Sequence, residues 1–277
     1  MADLLPHLTD HLAKWRLTPD GAPFETHSSW LQFVRHGETP AVLKAFKPGS
    51  DETRSAAILR HWGASAVRVF EGDDTALVIE RIAPGTQLTE LVATDDDYAT
   101  EIWCDVVSAL HIRPAPPGWK DLFRCGRSLL ETPWPGHAML TQNLFDLARA
   151  EFRALCESQG PVQYLLHTDL HHANVVRDAA RGWLVIDPKG YAGELAFEAA
   201  AFLHNPTREY CRPGHLARRA RIVASRLKLD EERVIRWVFA HGVLSAVWSI
   251  AEPVFDPVGG IEAANAALEV LGRRAGG

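Results

Sequence analysis

The stretch from Leu165 to Gly190, LLHTDLHHANVVRDAARGWLVIDPKG, concentrates three histidines, three aspartates and an asparagine around two short apolar runs. Three chemistries fit those residue types. The imidazoles of His167, His171 and His172 with Asp169 have the density of a zinc-hydrolase motif, because neutral imidazole is the commonest zinc ligand. The oxygen-bearing side chains of Asp169, Asn174 and Asp187 instead suit a hard divalent cation and a phosphate ester. The third reading is a polar loop between strands, in which each residue serves its own turn or strand end.

Spacing separates these readings. Four residues lie between Asp169 and Asn174, and Asp187 follows Asn174 by thirteen. Between Asn174 and Asp187 run two apolar segments, NVV and WLVID, joined by the turn-like RDAARG. Antiparallel strands of similar length start and finish together. A hairpin over Val175 to Asp187 therefore returns Asp187 to the end where Asn174 sits. Both oxygens then face one Mg²⁺, which takes few protein ligands and keeps the rest of its shell for phosphates and water. An aspartate followed five residues later by an asparagine, and then by a second aspartate, is the arrangement by which phosphoryl-transfer sites orient an acceptor hydroxyl and hold metal. H-R-D-x-x-x-x-N has the same offset, and HTDLHHAN fits it at His167, Asp169 and Asn174. The zinc reading leaves Asn174 and Asp187 without a role.

The phosphoryl-transfer reading requires a lysine on an earlier strand, paired with an acid on the helix that follows. AVLK at Ala41 to Lys44 ends in such a lysine, and Glu52 follows. The elements around them read as strands and one helix. Leu31 to Arg35 and Ala41 to Phe46 are short apolar runs about the turn HGETP. Ser50 is placed to cap a helix running to Trp62, with Asp51 and Glu52 in its first turn and Ala56, Ile58, Leu59 and Trp62 on its apolar face. AVRVFEG and ALVIERI read as two more strands across the acidic turn Asp73–Asp74. APG at Ala83 to Gly85 is the expected break, which divides the chain into a strand-rich lobe, residues 1–82, and a helical lobe, residues 83–277. In the second lobe Thr94 is the expected cap of a helix buried along Ile102, Val106 and Leu110 and ended by RPAPPG. A helix is expected over Pro135 to Ser158, and others from Phe197, over Leu216 to Leu227, Glu231 to Ile250 and Ile261 to Arg273.

Composition supports this outline. The 277 residues are 47% hydrophobic, enough for one large domain or two moderate ones. With 29 basic and 35 acidic residues the formal charge is −6, which argues against a nucleic-acid surface and tolerates a cationic substrate. The four cysteines lack C-x-x-C spacing and read as buried thiols. No secretory leader is visible in MADLLPHLTDHLAKW, and no long run of uncharged apolar residues suggests a membrane span. The expectation is a cytoplasmic protein with no membrane partner. Nothing in the sequence sets an oligomeric state.

From Thr26 onward the chain resembles the aminoglycoside phosphotransferase family, and in particular its streptomycin 6-kinase and hydroxyurea-kinase branch. LLHTDLHHANVV and GWLVIDPKG carry the resemblance, with ALHIRPAPPG at Ala109 to Gly118 and FLHNP at Phe202 to Pro206 as weaker supports. It implies an α+β, two-lobed protein-kinase-like fold, with a small antiparallel-sheet N-lobe and a larger, mainly helical C-lobe. It also implies an activity: transfer of the γ-phosphate of ATP, with Mg²⁺, to a hydroxyl of an aminoglycoside such as streptomycin. The alternatives are a kinase of another small hydroxyl compound, such as hydroxyurea or a metabolite, and a nucleotide-binding pseudoenzyme.

By position the resemblance makes Asp169 the catalytic base and Asn174 and Asp187 the magnesium ligands. Lys44 contacts the α- and β-phosphates and Glu52 positions it. Backbone groups of Glu80 and Ile82 meet the adenine edge, and Ser28 and Ser29, in THSSW, form the phosphate-covering loop. His167 is a packed histidine supporting the catalytic loop, and Glu198 anchors that loop's backbone N–H groups. Glu194 is a candidate contact for a cationic substrate, and His172 a residue able to approach substrate. Two departures stand out. Threonine 168 replaces the glycine of H-G-D, which is costly if φ is positive there, and no glycine occurs between Ala22 and His36.

Overall fold

The computed structural model describes residues 4–252 and 256–272. The chain divides into two compact units. The first comprises residues 1–87 and 174–190, and the second residues 88–173 and 191–277.

The first unit begins with α1 (Leu4–Lys14) and builds a sheet from β1 (Leu17–Pro19), β2 (Phe24–Glu25), β3 (Ser29–His36), β4 (Thr39–Phe46), β5 (Val69–Gly72) and β6 (Ala76–Glu80). The strand order is β1-β3-β4-β6-β5, with β2 also on β3. The β3–β4 hairpin closes through Gly37 and Glu38, where Gly37 supplies the positive φ of 59° that a tight turn needs. Val34, Ala41, Leu43, Ala45, Ala76 and Val78 form a buried core with Leu8 and Leu17. Asp73 closes the β5–β6 turn by accepting from the N–H groups of Thr75 and Ala76.

A second sheet in this unit has the order β10-β9-β7, from β7 (Pro84–Gln87), β9 (Val175–Asp178) and β10 (Gly182–Val185). It explains why the break expected at 82/83 does not delimit the first unit. β7 pairs antiparallel with β9, so the chain stays in this unit to Gln87 and re-enters it at Asn174. The helix expected from Ser50 is shorter: α2 spans Ser55–Trp62. Ser50 turns its hydroxyl to the N–H of Glu52 rather than capping a helix, and residues 51–54 are a turn. α2 buries Ala56, Ile58, Leu59 and Trp62, and the Ser55 hydroxyl donates to the Pro188 carbonyl at 2.7 Å.

The second unit holds α3 (Thr89–Val92), α4 (Asp96–Leu110), α5 (Leu122–Cys125), α6 (Arg127–Glu131) and α7 (Gln142–Glu157). These are followed by β8 (Tyr164–Leu166), β11 (Tyr191–Gly193), α8 (Leu195–Leu203), α9 (Pro213–Leu227), α10 (Glu231–Ala251) and α11 (Val258–Val270). β8 and β11 pair with each other. α4 is capped by Asp95, one residue beyond the expected Thr94, because the Thr94 hydroxyl bonds back to the Leu91 carbonyl. α7 starts at Gln142 under a Thr141 cap, seven residues later than Pro135. Arg273, the expected end of the last helix, lies outside the described residues.

α10 is long and apolar enough by length and composition to cross a membrane, although no long apolar run stood out in the sequence. Two-thirds of its most apolar window is buried within the protein, where it packs on α7, α8 and α11. At its contact with α11 a Cβ on Gly242 would fall 2.6 Å from the Gly260 carbonyl, so the two backbones approach as only glycine permits. The four cysteines are buried thiols outside any disulfide, and burial pushes the Cys104 and Cys156 thiols up to about 12.

Candidate active site

In the first unit the site is built around one buried lysine. Alternation along β4 turns Lys44 inward, leaving it 3% exposed. Burial of an ammonium group is costly unless it is paired. Lys44 lies against the Glu52 carboxylate and 2.7 Å from Asp187 Oδ1. Burial alone would lower its pKa, but the charges of Asp187 and then Glu52 outweigh that and hold it above the ordinary lysine value. The result is a fixed, protonated ammonium. Glu52 reaches Lys44 from the turn before α2 rather than from the helix. Its other oxygen is held by the Ser28 hydroxyl at 2.7 Å.

The β9–β10 hairpin sets the acceptor groups. Val175 pairs with Val185, and the Ile186 N–H donates to the Asn174 carbonyl at 3.1 Å. Asn174 and Asp187 therefore leave the hairpin at the same end. Asp187 has φ 58°, a left-handed conformation that aspartate tolerates better than most residues. Its side chain remains 37% exposed while touching Lys44, so a carboxylate oxygen stays available to a ligand. Asn174 is nearly buried. A carboxylate and an amide carbonyl are hard oxygen donors, the set that Mg²⁺ takes.

The loop carrying Asp169 belongs to the second unit and is clamped through its backbone. It leaves β8 at His167 and Thr168, and the buried Glu198 carboxylate on α8 accepts from both: from the His167 N–H at 2.7 Å and from the Thr168 N–H at 2.8 Å. Burial pushes the Glu198 pKa up. The hydrogen bond and charge of His111, the charge of His167 and the His167 N–H more than reverse this, and the carboxyl stays below its usual range. Thr168 has φ 63°, so the departure from glycine falls at a position where a β-branched residue is strained. Its hydroxyl donates to the His167 carbonyl at 2.7 Å. His167 is fully buried, and its Nδ1 accepts from the Asp169 N–H at 3.3 Å. Downstream, Trp103 Nε1 on α4 donates to the Leu170 carbonyl at 2.8 Å. The clamped backbone leaves the Asp169 side chain about one-third exposed.

The remaining expected residues occupy other positions. Ser29 is fully buried at the start of β3, and Ser28 spends its hydroxyl on Glu52. Neither hydroxyl is therefore presented to a phosphate in this arrangement. Glu80 ends β6. Its N–H is taken by the Arg68 carbonyl, and its carboxylate is held by Arg181 at 2.6 Å. Ile82 lies in the segment joining β6 to β7. Glu194 does not offer its charge to a substrate. Arg233 Nε lies 2.8 Å from both its oxygens, and Trp237 Nε1 also donates to it. These partners come from α10, some forty residues on, a separation no local pattern encodes. The zinc reading fails on placement. Arg219 occupies Nε2 of His172, and among the described residues no group of three or more His, Cys, Asp or Glu is placed to hold a metal. Trp103 and His111 were missed, because on α4 they read simply as apolar-face and helix-end residues.

Residues 14–252 match the family model for aminoglycoside/hydroxyurea antibiotic resistance kinases. A streptomycin 3''-kinase of Klebsiella pneumoniae is 37% identical over 87% of this chain and 91% of that protein. A hydroxyurea phosphotransferase of Kitasatospora aureofaciens is 30% identical over 97% of this chain and 79% of its own length. A streptomycin 6-kinase of Streptomyces griseus is 27% identical over 86% and 80% respectively. Among solved structures, a thermostable mutant of the aminoglycoside phosphotransferase APH(4)-Ia, in ternary complex with ADP and hygromycin B, superposes with a TM-score of 0.69. It is 16% identical and covers 96% of this chain and 98% of its own. A choline kinase from Streptococcus pneumoniae superposes with a TM-score of 0.58 at 15% identity, covering 96% of this chain and 97% of its own. These neighbours share the kinase-like fold.

Proposed function

The chain belongs to the aminoglycoside/hydroxyurea antibiotic resistance kinase family, phosphotransferases with an alcohol group as acceptor, and from that premise we propose that it transfers the γ-phosphate of ATP to a hydroxyl of streptomycin or a closely related aminocyclitol. The observation that carries the reading is the buried Lys44, held protonated by Glu52 and Asp187. A nucleotide site needs a positive charge of fixed position for the α- and β-phosphate oxygens, and the paired Lys44 supplies one.

Asn174 and Asp187 would hold Mg²⁺. When bound, the metal neutralises charge on the phosphate oxygens. Backbone groups of Glu80 and Ile82 would meet the adenine. Asp169 would orient the acceptor hydroxyl and accept its proton as the oxygen attacks the γ-phosphorus. Little base strength is required, because the transition state is loose and most of the acceleration comes from alignment and charge stabilisation. Glu198 and Trp103 keep the Asp169 backbone fixed while this happens.

The streptomycin kinases among the relatives favour an aminoglycoside acceptor, and the hydroxyurea phosphotransferase defines the second reading. A nucleotide-consumption assay with streptomycin, other aminoglycosides and hydroxyurea, each with and without Mg²⁺, separates them. Mg²⁺-dependent ADP release stimulated by streptomycin, with a product heavier by one phosphate, is the expected result. Stimulation by hydroxyurea alone would assign the second reading, and ATP binding without turnover on any acceptor would leave a pseudoenzyme.

A further inference from the structure

Glu198 secures the Asp169 loop on its upstream side. The downstream side ends at His172, two residues before Asn174, and is gripped by a group that neither the family assignment nor the mechanism above uses. Arg219, on α9, is fully buried. Its Nε lies 3.0 Å from Asp96 Oδ1 in the first turn of α4. Its Nη1 donates to the Asn205 carbonyl just past α8 at 2.6 Å. Its Nη2 lies 2.6 Å from His172 Nε2. The guanidinium also lies 4.8 Å and 4.9 Å from the ring centres of Phe202 and Tyr210. His172, likewise fully buried, stacks on Phe202 with ring centres 4.2 Å apart.

A guanidinium has donors only, so the His172 nitrogen it meets must be an unprotonated acceptor. A planar fork donates to Asn205 and approaches His172 at once while its Nε end lies ion-paired against Asp96, and lysine has no such geometry. A surface or merely space-filling arginine would not be drawn completely out of water, because burying a charge is costly unless it is paired.

We propose that Arg219, anchored by Asp96, is a positioning residue that fixes the downstream half of the Asp169 loop by donating to Nε2 of His172. Burial lowers the Arg219 guanidinium to about 10, which leaves the donor charged across the physiological range. His172 therefore does not approach substrate. The loop is held at His167 and Thr168 by Glu198, at Leu170 by Trp103 and at His172 by Arg219, and Asp169 has only the freedom those points leave.

The assignment rests on the kinase reading for its catalytic consequence but not for its structural one, and the test reads both. Glutamine places an amide oxygen where histidine places Nε2, whereas leucine fills the space without an acceptor. In H172L, backbone amides from His167 to Ala173 should exchange with deuterium at least tenfold faster than in the wild type. The kcat should fall at least tenfold, with KM for ATP changing less than threefold. H172Q should recover most of both losses. R219K, which cannot reach Asp96, Asn205 and His172 at once, should resemble H172L. Should an Arg219 variant fail to fold, the two His172 variants decide alone. Wild-type exchange and kcat in H172L, or H172Q as impaired as H172L, would overturn the proposal. If the wild type transfers no phosphate to any acceptor, the exchange data still judge the clamp while the kinase reading falls separately.

Discussion

Replacing Glu198 by glutamine exchanges one carboxylate oxygen for an NH₂ and tests how the Asp169 loop is held. Each Glu198 oxygen accepts one backbone N–H, from His167 at 2.7 Å and Thr168 at 2.8 Å, and His111 Nε2 lies 3.4 Å from Oε1. Glutamine retains one acceptor oxygen and turns an NH₂ toward the second donor. One buried N–H then has no partner, at a cost of about 1–3 kcal/mol, and the surviving bond loses its charge assistance, worth about 1 kcal/mol more. Relief of the buried charge returns part of this. A net loss of about 3 kcal/mol is expected, a sizeable share of an ordinary domain's stability. For a unit of this size it corresponds to a fall in Tm of roughly 6–12 °C. Because Glu198 is ionised in the fold at a pKa below its usual 4.5, its contribution is present above the unfolded value and fades as pH falls through the folded one. The wild-type advantage over E198Q should accordingly shrink below about pH 4.5. Urea titrations of both proteins at pH 7 and pH 4, with kcat measured in parallel, give the answer. An E198Q protein within about 0.5 kcal/mol of wild type, with unchanged kcat, would refute the view that this carboxylate clamps the loop.

Two further outcomes are expected. Thr168→Gly relieves a left-handed residue of about 1–2 kcal/mol of steric cost. It also forfeits the hydroxyl bond to His167 and the restricted unfolded chain, so the net change should stay within about 1 kcal/mol by denaturant midpoint, and a loss above about 2 kcal/mol would show that the position is not strained. Acid should destabilise the second unit well above the carboxylate range. His172 and His204 are depressed by burial to about 2 and about 4, so between pH 6.5 and pH 5 the unfolded chain gains protons that the folded one refuses. Stability then falls with falling pH by about 2 kcal/mol per histidine at pH 5, and a flat urea midpoint from pH 7 to pH 5 would contradict it.

The sequence made some features legible and hid others, for physical reasons. The convergence of Asn174 and Asp187 was readable because a hairpin's geometry follows from strand length and turn residues alone, and β9 and β10 pair in that register. Lys44 was readable because it ends AVLK within a short apolar run, where the phosphoryl-transfer reading requires a strand lysine. Glu52 was found with the wrong local structure: the turn at 51–54 delivers it to Lys44, and helical capping signals cannot distinguish that turn from a first helical turn. The boundary at 82/83 was displaced because β7 gains its partner from a strand nearly a hundred residues later. Glu194 was misread for a related reason, since the charge and indole that occupy it lie on α10. Arg219 carries no signal at all in a sequence where arginines on helices are usually solvated.

The central claim is that Asp169 presents the acceptor hydroxyl to a phosphate whose charge is met by Lys44. Single-turnover transfer from labelled ATP to the acceptor by Asp169→Ala, with ATP affinity measured on the same preparation, tests it most directly. Transfer should fall by about 10³-fold while ATP binds as in the wild type. Transfer at the wild-type rate would contradict the account, and so would its loss only together with the loss of ATP binding.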